Sequence, residues 1–211
     1  MQDTSFSPLS LRAEELGCDR ADNPVFRGVS FKLDPGEALV LRGDNGAGKT
    51  SLLRLVAGLL PLAEGVLQIK PEGADWQNTS ASGHIAWQGH EDAHKQALSV
   101  SENLAFWARI HNRKTNIENT LERVGIAKLY SFQVGRLSAG QKRRLALARL
   151  LVQDQPLWLM DEPTAALDGK AAALCEALVA DHLQAGGIAL IATHSAFAPK
   201  GRVSALNLVA A

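Results

Sequence analysis

One short run of residues constrains the fold more than any other part of this 211-residue chain. It follows the pattern G-x-x-x-x-G-K-T and comprises Gly43, Asp44, Asn45, Gly46, Ala47, Gly48, Lys49 and Thr50. An apolar segment, residues 37–42, precedes it, and apolar residues at helical spacing follow it. Strand, glycine-rich turn and helix in this order predict a loop whose backbone amides point inward at phosphate oxygens. In such a loop Lys49 reaches the outer phosphates of a nucleotide, and the Thr50 hydroxyl binds Mg²⁺.

The rest of the chain alternates between strand-like and helix-like segments. The helix after the phosphate loop should bury one face, made of Leu52, Leu53, Val56, Leu59 and Leu60, and end at Pro61. Further strands are predicted over residues 10–14, 25–33, 65–70, 84–88, 157–160 and 187–193, with a surface loop over 71–83. Further helices are predicted over residues 99–111, 115–125, 138–153 and 165–184.

Strands and helices alternate at both ends of the chain, whereas the middle is helical. The helices at 99–111 and 115–125 should each begin in a capping box, at Ser99 and Thr115. This order indicates an α/β core with a helical insertion, not two tandem domains. We expect one domain over residues 1–211, with its core at about 1–88 and 145–211 and a helical subdomain at about 89–144.

A second chemical feature is a pair of carboxylates at the end of the apolar run 157–160. Asp161 would hold Mg²⁺ at the end of a buried strand, and Glu162 would orient or deprotonate an attacking water. An apolar run that ends in Asp-Glu is weak on its own, because many strands end at a solvated turn. A phosphate loop in the same chain gives the pair its meaning, since together they provide nucleotide binding and hydrolysis.

A third feature is a helix start at Ser138, Ala139, Gly140 and Gln141. Ser138 and Gln141 form another capping box, so free amides at this helix end would face outward. Taken alone, the segment could equally be a capped helix followed by a solvated basic face, residues 142–144.

Taken together, these motifs resemble those of ATP-binding-cassette (ABC) ATPases, over essentially the whole chain. GDNGAGKT resembles the Walker A loop, LSAGQ the signature, LWLMDE the Walker B strand, the segment ending at Asp168 the D-loop, and His194 the switch histidine. The resemblance implies a P-loop NTPase (RecA-like) α/β core with an antiparallel β subdomain and a helical insertion. It also implies ATP and Mg²⁺ as ligands, His194 at the γ-phosphate, and a head-to-tail dimer in which the signature of a second copy closes over ATP.

The chain departs from this family in three places. Ala139 stands where most members have glycine. The glutamine that usually opens the helical insertion is replaced by His90, and Gln88 lies two residues early, so either residue could sense the nucleotide. The aromatic residue that stacks on adenine is also missing, and Arg20 could stack through its guanidinium plane, with Phe26 a weaker candidate.

Composition and charge exclude several other classes of protein. Twenty-two basic and 22 acidic residues cancel, so no net field favours nucleic acid. The chain has two cysteines, Cys18 and Cys175, far apart in the sequence, so we predict no disulfide framework. We find neither a secretory signal nor a membrane span, so work at a membrane would require a partner. His84, His90 and His94 fit a polar loop better than a metal site.

Within the family, the segments 45–65, 89–90, 101–107 and 137–150 resemble those of ATP-binding subunits of the haem exporters that serve cytochrome c maturation. That resemblance implies a peripheral subunit on the cytoplasmic side of a cell inner membrane. Its partners would be an integral-membrane permease, a second copy of itself and haem-handling maturation proteins. A cassette for another cargo, a soluble cassette ATPase, a P-loop kinase and a binding module without turnover are the alternatives.

Overall fold

Two sheets and a set of helices make up the computed structural model, which describes residues 6–21, 23–78, 83–91 and 93–211. The strands are β1 (Leu9–Arg20), β2 (Asn23–Leu33), β3 (Glu37–Arg42), β4 (Glu64–Pro71), β5 (Gln77–Asn78), β6 (Ile85–Gln88), β7 (Leu157–Asp161), β8 (Ile188–Ala192) and β9 (Arg202–Asn207). The helices are α1 (Lys49–Val56), α2 (Val100–Ile110), α3 (Ile117–Arg123), α4 (Ala139–Gln153) and α5 (Gly169–Gln184), with short 3-10 turns at Ala127–Leu129 and Val134–Arg136.

Within the described ranges, the larger sheet is parallel, with the strand order β6-β7-β8-β3-β9. The smaller sheet is antiparallel, with the order β2-β1-β4-β5. Because β3, β7 and β8 run in the same direction, the loops that follow them meet at one edge of the parallel sheet. The phosphate loop follows β3, Asp161 ends β7 with Glu162 directly after it, and His194 follows β8. The predicted α/β core with an antiparallel sheet and helical insertion is confirmed.

Side chains alternate between the two faces of the parallel sheet and so form two apolar clusters. On β8, Ile188 and Leu190 pack toward α1 and the antiparallel sheet, whereas Ala189 and Ile191 pack toward α2, α4 and α5. A strand with both faces covered is apolar at every position, as β8 is. In the described part of the chain, no helix is long and apolar enough to cross a membrane.

Several element boundaries differ from the sequence predictions. Helix α1 ends at Val56, and Leu59, predicted to be buried, is 66% exposed, because the chain turns at Gly58 with a φ of 73°. The predicted capping residue Thr115 is wrong, since Asn116 accepts the hydrogen bond from the Asn119 amide. The first change comes from a turn that the apolar spacing does not encode. The second reflects a choice between two adjacent residues that can both cap a helix.

Two longer segments also need correction. The helix predicted from residue 165 begins at Gly169, because Asp168 caps it by accepting from the Ala171 amide at 2.7 Å. The loop predicted over 71–83 contains β5, and its residues 79–82 lie outside the described residues. Strand β9 is not predicted from the sequence, because its residues RVSALN form no continuous apolar run and most of them are exposed. The capping boxes at Ser99 and Ser138 are confirmed.

Candidate functional site

The phosphate loop connects β3 to α1 and depends on glycine at two close approaches. Gly43 has a φ of 132°, and a Cβ there would lie 2.3 Å from the Leu208 carbonyl oxygen. Gly48 has a φ of 94°, and a Cβ there would lie 2.7 Å from Val25 Cγ1. Only glycine tolerates both the left-handed backbone and the missing space. The loop is therefore held tightly against β2 and the end of β9.

The beginning of α1 is open to a ligand. Gly48 occupies the N-cap position, where it provides no side chain to accept from the first amides. Lys49 bends back over the loop, and its Nζ donates to the carbonyl oxygens of Gly43 at 2.7 Å and Asp44 at 2.9 Å. An uncapped helix start beside an ammonium group is a site for an anion, because both present positive charge.

Thr50 and Asp161 meet across the gap between α1 and β7. The Thr50 hydroxyl donates to Asp161 Oδ2 at 2.9 Å, and Asp161 is only 4% exposed. Burial raises the pKa of Asp161, while the Thr50 hydrogen bond opposes this shift. A hydroxyl and a buried carboxylate are the oxygen donors that Mg²⁺ takes beside nucleotide phosphates, and the charge of the buried carboxylate favours a bound cation. The pair fits the predicted metal.

Glu162 has an unusual backbone and a fully engaged side chain. Its φ of 49° is left-handed, which is costly for a residue with a side chain and common at functional sites. Its Oε1 accepts from the His194 amide at 3.2 Å and lies 2.9 Å from His194 Nδ1. Its Oε2 accepts from the Thr193 hydroxyl at 3.0 Å. The segment after β8 therefore fixes the direction of this carboxylate.

One cleft of about 670 Å³ brings the predicted groups together. Its lining includes Arg20, Val25, Asn45, Gly46, Gly48, Lys49, Thr50, His90, Asp161, Glu162 and His194. Of the two candidates for the adenine contact, Arg20 lines the cleft, whereas Phe26 is fully buried in the core and does not line it.

The two candidates for the nucleotide-sensing position lie in different environments. His90 is exposed and lines the cleft, close enough to Asp161 for a positive charge on it to lower the pKa of that carboxyl. Gln88, the last residue of β6, is fully buried, and its amide atoms have no hydrogen-bond partner among the described residues. Of the two, His90 is the residue that faces the cleft.

The signature segment lies outside this cleft, at the start of α4. Ser138 Oγ accepts from the Gln141 amide at 3.3 Å, and Gln141 Oε1 accepts from the Ser138 amide at 2.9 Å. Ser138 and Ala139 are exposed. A Cβ on Gly140 would lie 3.4 Å from the Ala166 carbonyl oxygen, so α4 starts beside the segment that leads to Asp168.

Three residues near the site were missed or misjudged in the sequence analysis. Arg143 is 3% exposed, so the alternative of a solvated basic face over 142–144 is wrong for it. Its guanidinium donates to the carbonyl oxygens of Gly89 at 3.1 Å, Asp161 at 3.0 Å and Glu162. Thr193 and Arg42 also contact the site or its supporting segment. None belongs to a local motif, so the sequence offers no signal for them.

The three histidines at 84, 90 and 94 do not form a metal centre. His94 Nε2 lies 2.9 Å from the Lys142 carbonyl oxygen, and His90 is exposed. Throughout the described ranges, no group of three or more His, Cys, Asp or Glu residues could hold a metal ion.

Comparisons with known proteins agree with this geometry. Residues 26–165 match the family described as ABC transporter. The chain is 46% identical over 187 residues to the "Cytochrome c biogenesis ATP-binding export protein CcmA" of Mesorhizobium japonicum, covering 88% of this chain and 92% of that protein. It is 44% identical to the protein of the same name from Paramagnetospirillum magneticum, covering 92% and 90%.

A solved structure extends the likeness to the fold. The chain superposes on a putative ABC transporter ATP-binding protein from Pyrococcus furiosus with a TM-score of 0.83 and 26% identity. The superposition covers 96% of this chain and 100% of that one.

Proposed function

Since the chain belongs to the ABC transporter family, we propose that it is the ATP-hydrolysing subunit of a membrane export complex that serves cytochrome c biogenesis. The two relatives named as cytochrome c biogenesis export proteins match this chain over about nine-tenths of its length and of their own. The observation that carries the enzymatic part is the single cleft, in which the phosphate loop, the Thr50–Asp161 pair and Glu162 face one another. A module that only bound nucleotide would not need Glu162 in that position.

ATP binds with its phosphates at the start of α1. The amides of residues 43–50 surround the phosphate oxygens, and Lys49 exchanges its two carbonyl partners for the outer phosphates. Arg20 and Val25, which also line the cleft, contact the base. Thr50 and Asp161 would hold Mg²⁺, and the ion would supply positive charge beside the phosphates.

Glu162 accepts the proton of the attacking water. Its carboxylate is held by His194 and Thr193, so its position is set before the nucleotide arrives. The His194 side chain is 71% exposed and can leave Glu162 to contact the γ-phosphate, the role implied by its place in the family. His90 contributes to the same end of the cleft and is our candidate for the residue that reports nucleotide to the membrane partner.

The signature and the D-loop act between two copies of the chain. Ser138, Ala139, Gly140 and Gln141 lie on the surface and outside their own cleft, as expected of groups that complete the site of a second, head-to-tail copy. Asp168 lies next to this surface, with Arg144 Nη2 at 3.9 Å. The helical subdomain at about 89–144 is joined to the core through α4, which continues past residue 144 to Gln153.

The partners in this proposal are a permease, haem-handling maturation proteins and a second copy, at the cytoplasmic face of an inner membrane. The experiment that tests it uses Glu162→Gln, purified with ATP from native membranes, with co-purifying proteins identified by mass spectrometry. We expect hydrolysis to fall at least about 100-fold, because the base is lost while phosphate binding is kept. Glu72→Gln, an exposed glutamate in the turn after β4, is the matched control.

Each outcome of that purification has a defined meaning. A multi-span permease together with haem-handling proteins supports the whole proposal. A permease with unrelated neighbours keeps transport but removes haem as the cargo, and no membrane partner favours a soluble cassette ATPase. Wild-type turnover in Glu162→Gln contradicts the assignment of the base.

A separate pair of variants tests the sensing residue. His90→Ala should abolish stimulation of ATP hydrolysis by the permease, while Gln88→Met should leave it intact, because only His90 faces the cleft. Measurement of ATPase rates with and without permease in vesicles separates the two. Unchanged stimulation in His90→Ala would transfer the role to Gln88.

A further inference from the structure

The segment after β8 carries Thr193 and His194 out of the parallel sheet. Its last ladder hydrogen bond joins the Thr193 amide to the Leu41 carbonyl oxygen at 3.3 Å. Beyond that point residues 193–199 have no regular secondary structure. The first five residues of this stretch, 193–197, are called the switch segment below. It must nevertheless hold a fixed shape, because three of its groups contact the carboxylate of Glu162.

Arg42, the last residue of β3, lies directly before Gly43 and reaches across to this segment. Its Nη1 donates to the carbonyl oxygens of Thr193 at 3.4 Å and Ser195, and its Nη2 donates to that of Phe197 at 3.3 Å. The three acceptors alternate along the whole switch segment. A guanidinium suits this task, since its donors are arranged in a rigid planar fork.

We infer that Arg42 is a positioning residue for catalysis, which gives the switch segment the shape that aims Glu162. The inference rests on the proposed role of Glu162 as the base. Arg42 does not line the nucleotide cleft, so it acts through the segment and not on the phosphates. Its position next to Gly43 also ties the switch segment to the start of the phosphate loop.

The route from Arg42 to the carboxylate has two steps. Arg42 fixes the carbonyl groups of residues 193 and 195, and the same two residues place the Thr193 hydroxyl, which accepts from the Ser195 amide at 3.1 Å. That hydroxyl then donates to Glu162 Oε2. The far end of the segment is anchored independently, because Phe197 is buried in the core. Loss of Arg42 should therefore loosen the middle of the segment without unfolding the protein.

The test compares Arg42→Met, which keeps an aliphatic stem but has no donor, with Arg42→Lys and Arg202→Met. Arg202 is a matched control at the opposite end of β3 and β9, where it pairs with Glu37 at 3.1 Å and donates to the Pro35 carbonyl oxygen. We expect Arg42→Met to lower kcat about tenfold while KM for ATP changes less than about twofold, because the Glu162 carboxylate loses its orientation whereas the groups that bind ATP are unchanged. The kcat of Arg42→Lys should lie between those of Arg42→Met and the wild type, and the kcat of Arg202→Met should equal that of the wild type.

A second readout does not depend on turnover. Hydrogen exchange of a peptide covering residues 193–199 should be faster in nucleotide-free Arg42→Met than in wild type or Arg202→Met. The His194 amide donates to Glu162 Oε1 and the Ser195 amide to Thr193 Oγ1, and both bonds require the ordered segment. Thr193→Val should lower kcat in the same way, and the double variant should be no worse than either single one.

Several results would overturn the inference. Unchanged exchange in Arg42→Met, an unchanged kcat, or effects of Arg42→Met and Thr193→Val that simply add would each do so. A raised KM with normal kcat would make Arg42 a nucleotide ligand instead. If the wild type itself did not hydrolyse ATP, the proposed function would fail, yet the exchange measurement would still decide whether Arg42 orders the switch segment.

Discussion

Two helices of this chain begin in opposite ways. Helix α1 starts at Gly48, which has no side chain to satisfy the first amides, and the end is surrounded by the cleft. Helix α4 starts at Ser138, where Ser138 and Gln141 satisfy each other's amides in a closed capping box on the surface. The first end is held in place by the neighbouring β2 and β9, and the second is held by its own sequence.

The difference separates the proposed nucleotide site from the proposed contact surface with a second copy. An open helix end leaves amides that a phosphate can use, but its shape must be imposed by tertiary packing. A capped end is stable without a partner, so it can stand exposed until a second molecule covers it. The same element of secondary structure thus serves two stages of one proposed cycle, with nucleotide binding within the chain and closure between chains.

The largest effect on ATP affinity and stability is expected from adding a methyl group at Gly48, the open start of α1. Gly48→Ala places a Cβ 2.7 Å from Val25 Cγ1 and 2.9 Å from Phe26 Cδ1, on a backbone with a φ of 94°. We expect ATP affinity of the isolated chain to fall about 100-fold and the free energy of unfolding to fall by about 3 kcal/mol. Equilibrium binding of a fluorescent ATP analogue and urea denaturation measure the two.

The control for this variant lies in the other helix. Gly140→Ala adds the same methyl group to α4, where the nearest atom, the Ala166 carbonyl oxygen, is at 3.4 Å. Its unfolding free energy and ATP affinity should stay within about 0.5 kcal/mol of wild type. Equal losses in the two variants would show that the two helix starts are not different in kind.

A second prediction concerns the pH dependence of stability. His182 sets the pH below which stabilities of variants at the two helix ends cannot be compared. This residue of α5 is 4% exposed and stacks on Trp158 at 4.1 Å, and burial lowers its pKa to about 4. Unfolding restores a pKa near 6.5, so the unfolded chain binds more protons between these values and stability falls as pH drops below about 6.5. At pH 5 the loss is about 2 kcal/mol relative to neutral pH.

The measurement is the urea midpoint at pH 7 and pH 5. His182→Phe keeps a ring against Trp158 but cannot take up a proton, so its stability should depend less on pH than that of the wild type. If the wild type and the variant lose the same stability between these pH values, His182 is not responsible. The comparison of the helix ends should therefore be made above pH 6.5.

A third prediction concerns the charge of Asp161, which lies beside the open end and accepts from the Thr50 hydroxyl. Burial raises the pKa of Asp161, so the folded chain binds its proton more tightly than the unfolded chain and loses stability as pH rises through the carboxyl range. At neutral pH, Asp161→Asn should raise the melting temperature of the nucleotide-free protein by about 2 to 4 °C, because the neutral amide needs less solvation. The same variant should lose Mg²⁺-dependent hydrolysis.

Calorimetry with and without Mg²⁺ and ATP separates these effects. The wild type should gain melting temperature from the ligands and Asp161→Asn should gain less, because the metal has lost its carboxylate. Ser99→Ala, at the capping box of α2, should gain as much as wild type. If nucleotide-free Asp161→Asn melts at a lower temperature than wild type, burial of the charged Asp161 carboxylate does not destabilise the fold.

The fold was predictable wherever the signal was local. The boxes at Ser99 and Ser138 were found because hydroxyl and carboxylate or amide lie three residues apart. The end of α1 was misplaced because the turn at Gly58 overrides the apolar spacing. Strand β9 was missed because it is stabilised by pairing with β3, more than 160 residues away, and not by its own pattern.

The candidate site divides along the same line. Lys49, Asp161, Glu162 and His194 were found because motif spacing places them after strands that end at one sheet edge, and the structure brings them into one cleft. Arg42 and Arg143 were not found, because both act by donating to main-chain carbonyl groups. Carbonyl groups are present at every position, so their use leaves no mark in the sequence.

The smallest effect should come from opening the closed end. Ser138→Ala removes the cap of α4 and should lower the free energy of unfolding by about 1 kcal/mol. Ser99→Ala removes the same box from α2 and should cost about the same, since the geometry is shared. The two variants should differ in ATP hydrolysis by the assembled protein, which falls only in Ser138→Ala if a second copy uses that surface. Equal ATPase rates would leave α4 a capped helix without a partner, and the contrast with α1 would then be one of stability alone.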